Sequence, residues 1–235
     1  MSQNRLLLLI IIFISIIAVF SFLSSPFFSV HNFLVSGNKI MNKNELINML
    51  NSFREHNIWM IDSDQVRKRI LNNKYIKKVK VNKKYPDTIK LNIEERRPLG
   101  KINNNGHYLV FDQSGYILEE GSLKSRAEVP LITKVGYSFS GNKISFSPIF
   151  KKVVQALASI QQSKITKIKS ISKENKGEIN LYLKSDINVY LGESDDLPRK
   201  VEILSAIIDR IKKQNLDVKY IDLKLVDKPV IKMNK

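Results

Sequence analysis

The side chains best able to do chemistry are few and poorly grouped. The histidines are His31, His56 and His107, and no two share the i, i+4 spacing that sets a pair of imidazoles on one helix face for zinc. There is no His-Glu-x-x-His or Gly-x-Ser-x-Gly pattern and no glycine loop leading into a phosphate-binding lysine. Cysteine is absent, so no thiolate can serve as nucleophile or metal ligand and no disulfide staples the fold. Two carboxylate pairs remain. Glu94 and Glu95 are neighbours on a predicted strand, where successive side chains point to opposite faces, so they cannot flank one glycosidic bond. Asp195 and Asp196 stand where a helix should begin and read as cap and first-turn charge. No residue is assigned a catalytic, metal-binding or cofactor-binding role, and the chain is expected not to be an enzyme.

Charge gives a second route to function. The formal net charge is +17, which invites a nucleic-acid reading. The basic residues are thirty Lys against nine Arg, scattered along the chain among Asn and Ile. Base reading and phosphate clamping lean on the bidentate arginine fork, so the lysine excess reads as solvated surface, and no nucleic acid is expected as partner. Such a surface next to a bilayer would be drawn, without specificity, to anionic head groups or wall polymers.

The elements that must position any site begin with LLLLIIIFISIIAVFSFL at residues 6–23, in which sixteen of eighteen residues are apolar and none is charged. Its Leu, Ile, Phe and Val residues together favour insertion by up to about 5 to 9 kcal/mol, and Ser24 to Phe28 can extend it to the thickness of a hydrocarbon core. A cleaved signal peptide would have a shorter apolar stretch and a small-residue exit. Here the exit is Phe22-Leu23-Ser24-Ser25-Pro26-Phe27-Phe28, so residues 6–25 are expected to remain as a transmembrane helix. A tail at 1–5 too short to fold is expected inside and the large remainder outside, the orientation favoured when a tiny basic tail precedes the span.

Beyond the span, Phe28, Val30, Phe33 and Val35 alternate within 27–35 and close on Ser36-Gly37-Asn38, predicting a strand and a tight turn. Asn42 before Glu45 and Asp62 before Gln65 are N-cap signals for two short helices carrying Leu46, Met49 and Leu50, then Val66, Ile70 and Leu71. Period-2 runs at 75–83 and 88–95 flank Tyr85-Pro86-Asp87 as a hairpin with a charged outer face. Trp59, the sole tryptophan, lies between the helices and reads as a core plug. Strands are expected again at 108–118, around a turn at Asp112 to Gly115, and at 129–132. Ser147-Pro148 caps a helix with Ile149, Val153, Leu157 and Ile160 on one face. Strands at about 165–172, 178–183 and 187–191 follow, and then a helix capped by Asp196 with Val201, Leu204, Ile208 and Ile211 in step. The run from Lys219 to Leu225 alternates and leads to Lys232. The fold class is therefore α+β, with one N-terminal transmembrane helix, a β-α-α-β-β module and a second mixed domain with an antiparallel-rich sheet.

Three stretches carry a family likeness: Phe28-Ser-Val-His-Asn-Phe-Leu-Val-Ser-Gly-Asn38, Asn57-Ile-Trp-Met-Ile-Asp62, and the hairpin from Tyr75 through Tyr85-Pro-Asp-Thr-Ile to Glu94-Glu-Arg-Arg-Pro98. Directly after a membrane helix, they resemble the POTRA domain of the bacterial FtsQ/DivIB cell-division family. Tyr108 to Leu118, Val129 to Ile132, Leu191-Gly192 before a helix containing Lys200, and Tyr220-Ile-Asp-Leu-Lys224 are similar to landmarks of that family's β domain. The sequence departs from the family at Lys224, where arginine is frequent, and in its minimal tail, which implies no cytoplasmic function.

The resemblance implies a POTRA domain at 27–98 and an FtsQ-type β domain at 99–235. It implies a bitopic scaffold of the cytoplasmic membrane, type II, at the division septum, recruiting FtsB/DivIC and FtsL homologues and other divisome proteins and taking no small-molecule substrate. The POTRA module is implied to make contacts of its own near the membrane. Capture is implied to lie in the last β-domain strands, where unpaired N–H and C=O groups can accept a strand from another chain. Leu225, Val226, Val230, Ile231 and Lys232 are the candidate partner-binding residues, and Pro229, which lacks a donor, suits an edge. The same segment would also make a protected edge or frayed tail, with Asp227, Lys228 and Lys232 guarding against aggregation. Two other readings are a POTRA adaptor that binds unfolded or transported polypeptides and a membrane-anchored wall enzyme.

Overall fold

Helix α1, Gln3–Leu23, follows from the apolar run of the sequence: the side chains of residues 4–22 are exposed, and near its end Phe22 meets Phe27 and Phe28. The twenty residues Asn4–Leu23 form the one helix long and apolar enough to cross a membrane among the described residues, and at about 1.5 Å per residue they match a hydrocarbon core of roughly 30 Å. The polar Ser15 does not interrupt it, because its hydroxyl donates back to Ile11 O at 2.8 Å. The structure is a computed structural model and describes residues 3–121, 127–174 and 177–234. The stretch 119–128, the longest break in the hydrophobic patterning of the sequence, lies partly outside these.

The chain divides into two compact units between Arg96 and Arg97. In the first, strands β1 (Asn32–Ser36), β2 (Ile76–Lys84) and β3 (Thr88–Glu95) form a sheet in the order β1-β3-β2. The hairpin β2–β3 is antiparallel and β1 lies parallel to β3. Helices α2 (Lys43–Asn48) and α3 (Ser63–Leu71) make the crossover between β1 and β2. Their caps work as the sequence predicts: Asn42 Oδ1 accepts from Asn44 N and Asp62 Oδ1 from Asp64 N, each at 2.8 Å. Leu46, Val66 and Ile70 from the helices meet Phe33, Ile89 and Leu91 from the sheet in a buried core.

Glu94 and Glu95 do part to opposite faces. Glu94 lies with Lys77 and Lys78 on the wet face, where the Lys77 hydrogen bond, followed by the charges of both lysines, holds its carboxyl below the usual range. Glu95 turns inward and accepts from three successive backbone N–H groups, Lys39 at 2.9 Å, Ile40 at 2.7 Å and Met41 at 2.9 Å. This carboxylate ties the β1–α2 loop to the end of β3. Glu95→Ala leaves those donors to water or to nothing and is expected to lower the unfolding free energy of this unit by about 2 kcal/mol. Glu95→Gln, which keeps one acceptor oxygen, should recover part of the loss in urea titrations.

Three expectations need correction here. Residues Pro26–Phe28 form a 3-10 turn and the strand begins only at Asn32, because Pro26 favours a helical first turn after the Ser25 cap position. Helix α2 is shorter at its C-terminal end than its apolar stripe: it stops at Asn48, and Leu50 is buried at the cap position before a 3-10 turn, Asn51–Phe53. Trp59 is 48% exposed rather than a core plug.

The second unit is built on a nine-stranded sheet ordered β14-β13-β12-β11-β10-β7-β4-β5-β6. The strands are β4 (Pro98–Asn104), β5 (His107–Asp112), β6 (Ile117–Gly121), β7 (Leu131–Thr133), β10 (Ile168–Lys173), β11 (Ile179–Leu183), β12 (Asn188–Gly192), β13 (Val218–Asp222) and β14 (Val230–Met233). A separate small hairpin pairs β8 (Tyr137–Ser140) with β9 (Lys143–Phe146). Parallel joints at β4/β7, β7/β10 and β12/β13 interrupt an otherwise antiparallel sheet. Each of the last two needs a helical crossover: α4 (Pro148–Ser159) with the short α5 (Gln162–Ile165), and α6 (Leu197–Gln214).

Helices α4 and α6 pack together over the sheet, with Val153, Leu157 and Val201 facing Ile171, Leu181 and Leu191. Ser147 Oγ caps α4 by accepting from Phe150 N at 3.4 Å. Arg97 closes its other end, donating to Ala158 O at 2.9 Å and to Ile160 O, and to Gln162 Oε1 at 2.9 Å, so carbonyls that the helix leaves open find a cation. Asp196 occupies the N-cap position of α6, but its backbone is left-handed (φ 48°) and its side chain accepts no helix N–H; the start is set instead by Pro198 in the first turn. The buried face of α6 is Leu197, Lys200, Val201, Leu204 and Ile207, while the expected Ile208 and Ile211 are only half-buried.

Candidate functional site: the last sheet edge

The nine-stranded sheet ends in β6 on one side and β14 on the other, and the two ends differ. Beside β6 the small hairpin supplies partners: Ile117 N donates to Asn142 O at 3.1 Å and Ile144 N to Gly115 O at 2.8 Å. Strand β14 pairs only with β13 among the described residues. Every second N–H and C=O of an edge strand points away from its neighbour, so β14 presents a row of backbone donors and acceptors to solvent.

The register places each candidate residue. Asp222 pairs with Val230, Ile221 with Ile231 and Tyr220 with Lys232. Ile221 is fully buried, so Ile231 lies on the helix-covered side, half-buried at the margin of the core, while Val230 and Lys232 lie on the open side. Leu225 and Val226 are not in the strand. They sit in the turn between β13 and β14, Leu225 exposed and Val226 half-buried, with Lys228 N donating to Leu225 O at 3.2 Å. The structure thus groups Val230, Ile231 and Lys232 on one edge strand and sets Leu225 and Val226 on the loop leading to it. Pro229 stands just before β14, where its missing donor costs no ladder bond.

Sequence reasoning missed the aromatic floor beside this edge. Cross-strand rows on the open side read Asn188–Tyr220–Lys232 and Tyr190–Asp222–Val230, and the Tyr190 and Tyr220 rings meet edge to face at 5.9 Å. Both were visible as open-side positions of alternating runs, but which strands were neighbours was not. Asp222 also accepts from Lys224 N at 2.9 Å, which turns the chain out of β13, and the Lys224 ammonium reaches Glu178 Oε1 at 3.4 Å. Met233 adds a further exposed apolar side chain opposite Val218. An incoming strand would find backbone bonds along β14, apolar contact from Val230 and Met233 and a cation at Lys232.

The remaining candidates for chemistry do not converge. His31, His56 and His107 are all exposed, on the approach to β1, in the loop after α2 and at the start of β5. Among the described residues no group of three or more His, Asp and Glu side chains is placed to hold a metal ion.

One helix long and apolar enough to cross a membrane, a small β-α-α-β-β unit and a larger mixed sheet with an open terminal strand define a class, POTRA proteins with an N-terminal apolar helix. The model of the FtsQ-type POTRA domain matches residues 28–96, and that of the C-terminal region of the cell division protein FtsQ/DivIB matches residues 101–224. The chain belongs to the FtsQ/DivIB family of cell division proteins. Relatives along most of its length include the cell division protein DivIB of Clostridium tetani, 27% identical over 94% of this chain and 85% of the relative. DivIB of Clostridium acetobutylicum is 26% identical over 88% of this chain and 84% of its own length. The cell division protein FtsQ of Syntrophotalea carbinolica is 24% identical over 90% and 76%.

Proposed function

We propose that this chain is a scaffold of the septal divisome that recruits FtsB/DivIC and FtsL homologues by strand addition to β14. Family membership supports the divisome role, and the observation that carries the capture site is the open edge of β14 at the end of the sheet. In this reading α1 anchors the chain once in the cytoplasmic membrane, with the two folded units outside, and the protein gathers at the division septum. Confinement of the partners to a plane raises their effective concentration without any new chemistry. Backbone bonds to β14 give affinity, and the alternation of Val230 and Lys232 against Ile231 and Met233 gives register.

Val230 is half exposed on the open side of the edge, so Val230→Lys leaves the core intact. It sets a second cation beside Lys232 where an apolar contact is needed, and should weaken co-purification of FtsB and FtsL homologues by about tenfold. Ile231→Lys should do the same with some loss of stability, since Ile231 borders Ile221. Undiminished capture by a folded Val230→Lys chain would overturn the edge-strand reading.

A further inference from the structure

The first unit carries an exposed aromatic ridge that the divisome reading does not use. It begins inside the last turn of α1. Phe22 contacts Phe28 edge to face at 5.3 Å, Phe27 contacts Phe28 at 5.1 Å, Phe28 contacts Trp59 at 5.9 Å, and Trp59 stacks on Tyr85 at 4.2 Å with the rings 23° from parallel. These residues come from the end of α1, the 3-10 turn after it, the loop before α3 and the tip of the β2–β3 hairpin. Phe28 is buried beneath them, whereas Phe27 is 60% exposed, Trp59 48%, Tyr85 48% and the neighbouring Met60 77%.

The ridge is fastened to the helix end. Asn57 Nδ2 donates to Leu23 O at 2.7 Å, using a carbonyl that the terminating helix leaves open, and Asn57 Oδ1 accepts from Trp59 N at 3.0 Å. Ile58 N donates to Phe28 O at 2.8 Å. One amide side chain therefore couples the depth of α1 to the position of Trp59, and the ridge continues the apolar surface of the helix.

We infer that this ridge is a lipid-docking surface: Phe27, Trp59, Met60 and Tyr85 rest in the interfacial layer of the same bilayer that holds α1. Indole and phenol rings favour that layer because an apolar body and a polar tip can both be satisfied there. Lys83 and Lys84, directly before Tyr85 in the chain, supply the positive charge that anionic lipid phosphates attract. Docking makes the first unit lie against the membrane, so that the hairpin tip and the α1 exit move as one body.

The inference rests on α1 being an embedded anchor, and one preparation tests the two separately. Trp59 is the only tryptophan, so its fluorescence reports on this ridge alone. The full chain is reconstituted into vesicles of phosphatidylcholine and phosphatidylglycerol, with or without lipid brominated near the glycerol end of its acyl chains. The chain should float with the vesicles, Trp59 emission should fall about twofold with the brominated lipid, and acrylamide should quench it less than in the unfolded chain. Met60→Asp, which alters an exposed side chain, should cut the bromine quenching markedly while the chain still floats.

A chain that does not float overturns the anchor and the docking together. A chain that floats with Trp59 open to acrylamide and indifferent to bromine overturns docking alone, and marks the ridge as a surface for a protein partner. Bromine quenching unchanged by Met60→Asp would show that the tether, not the ridge, holds Trp59 near lipid, and would also overturn it.

Discussion

Gly37→Ala should destabilise the first unit by about 3 to 5 kcal/mol, the largest effect expected of any single methyl group there. Gly37 directly follows β1 with φ at +87°, and a Cβ built on it would lie 2.1 Å from the carbonyl oxygen of Ile93. Left-handed backbone alone costs an alanine roughly 1 to 2 kcal/mol. The clash adds more because the colliding atom is main chain. Ile93 belongs to β3, the central strand, held by β1 on one side and β2 on the other, so it cannot retreat without breaking ladder bonds. Trp59 lies in the same unit and offers a probe that the second unit does not share. Urea titration followed by its fluorescence should show the midpoint falling steeply for Gly37→Ala, and an unchanged midpoint would mean that the turn re-forms around the methyl group.

How much of this architecture could be read before the structure depended on whether a segment's fate was decided locally. The span of α1, the caps at Asn42, Asp62 and Ser147 and the hairpin β2–β3 were legible, since period, cap chemistry and turn residues all lie within a few positions of one another. Strand β4 was not. Pro98-Leu-Gly-Lys-Ile-Asn-Asn has a proline at its start and a glycine at its third position, and it becomes a central strand only because β5 and β7 flank it. At Gly100 the lack of a side chain is what admits Ile132 and Phe111, whose atoms would lie 2.8 and 3.0 Å from a Cβ. The β8–β9 hairpin did carry a readable signal, with Tyr137 and Phe139 alternating on one side of Ser140-Gly141-Asn142 and Ile144 and Phe146 on the other. Trp59 went astray because its neighbours Phe28 and Tyr85 are far away in sequence.

The candidate edge shows the same division. Apolar residues and a proline near the C-terminus could be read as an edge strand, and β14 is the last strand of the sheet. Sheet order is a tertiary fact, however, so neither the bonds that the β8–β9 hairpin makes beside the start of β6 nor the place of Tyr220 next to Lys232 could be known. Val226 and Leu225 were grouped with the strand because apolar character continues through them, whereas Asp222 turns the chain through its own carboxylate and places them in the loop.

Lys200 offers the second large effect, and one in which charge and packing can be separated. It lies on the buried face of α6 with its side chain 1% exposed, donating to Glu193 O at 3.2 Å and lying 3.5 Å from Asp195 Oδ1. A buried lysine is usually costly, but here the ammonium finds a carbonyl and a carboxylate in the loop that joins β12 to α6. Its four-carbon stem shares the buried face of α6 with Leu197, Val201 and Leu204. Lys200→Ala removes stem and ammonium together, leaving a cavity and a freed carbonyl, and should cost about 3 kcal/mol. Lys200→Met keeps most of the stem. Asp195 is 67% exposed and can be solvated without its partner, which leaves the freed Glu193 carbonyl as the main cost, so methionine should cost about 1 kcal/mol, well below alanine. Urea unfolding of the two variants, followed by far-ultraviolet circular dichroism, distinguishes the roles. If methionine is as damaging as alanine, the ammonium rather than the stem holds the entrance to α6. The loop from 193 to 196 would then be the weak joint of the crossover that leads to β13, against which the candidate edge strand is laid.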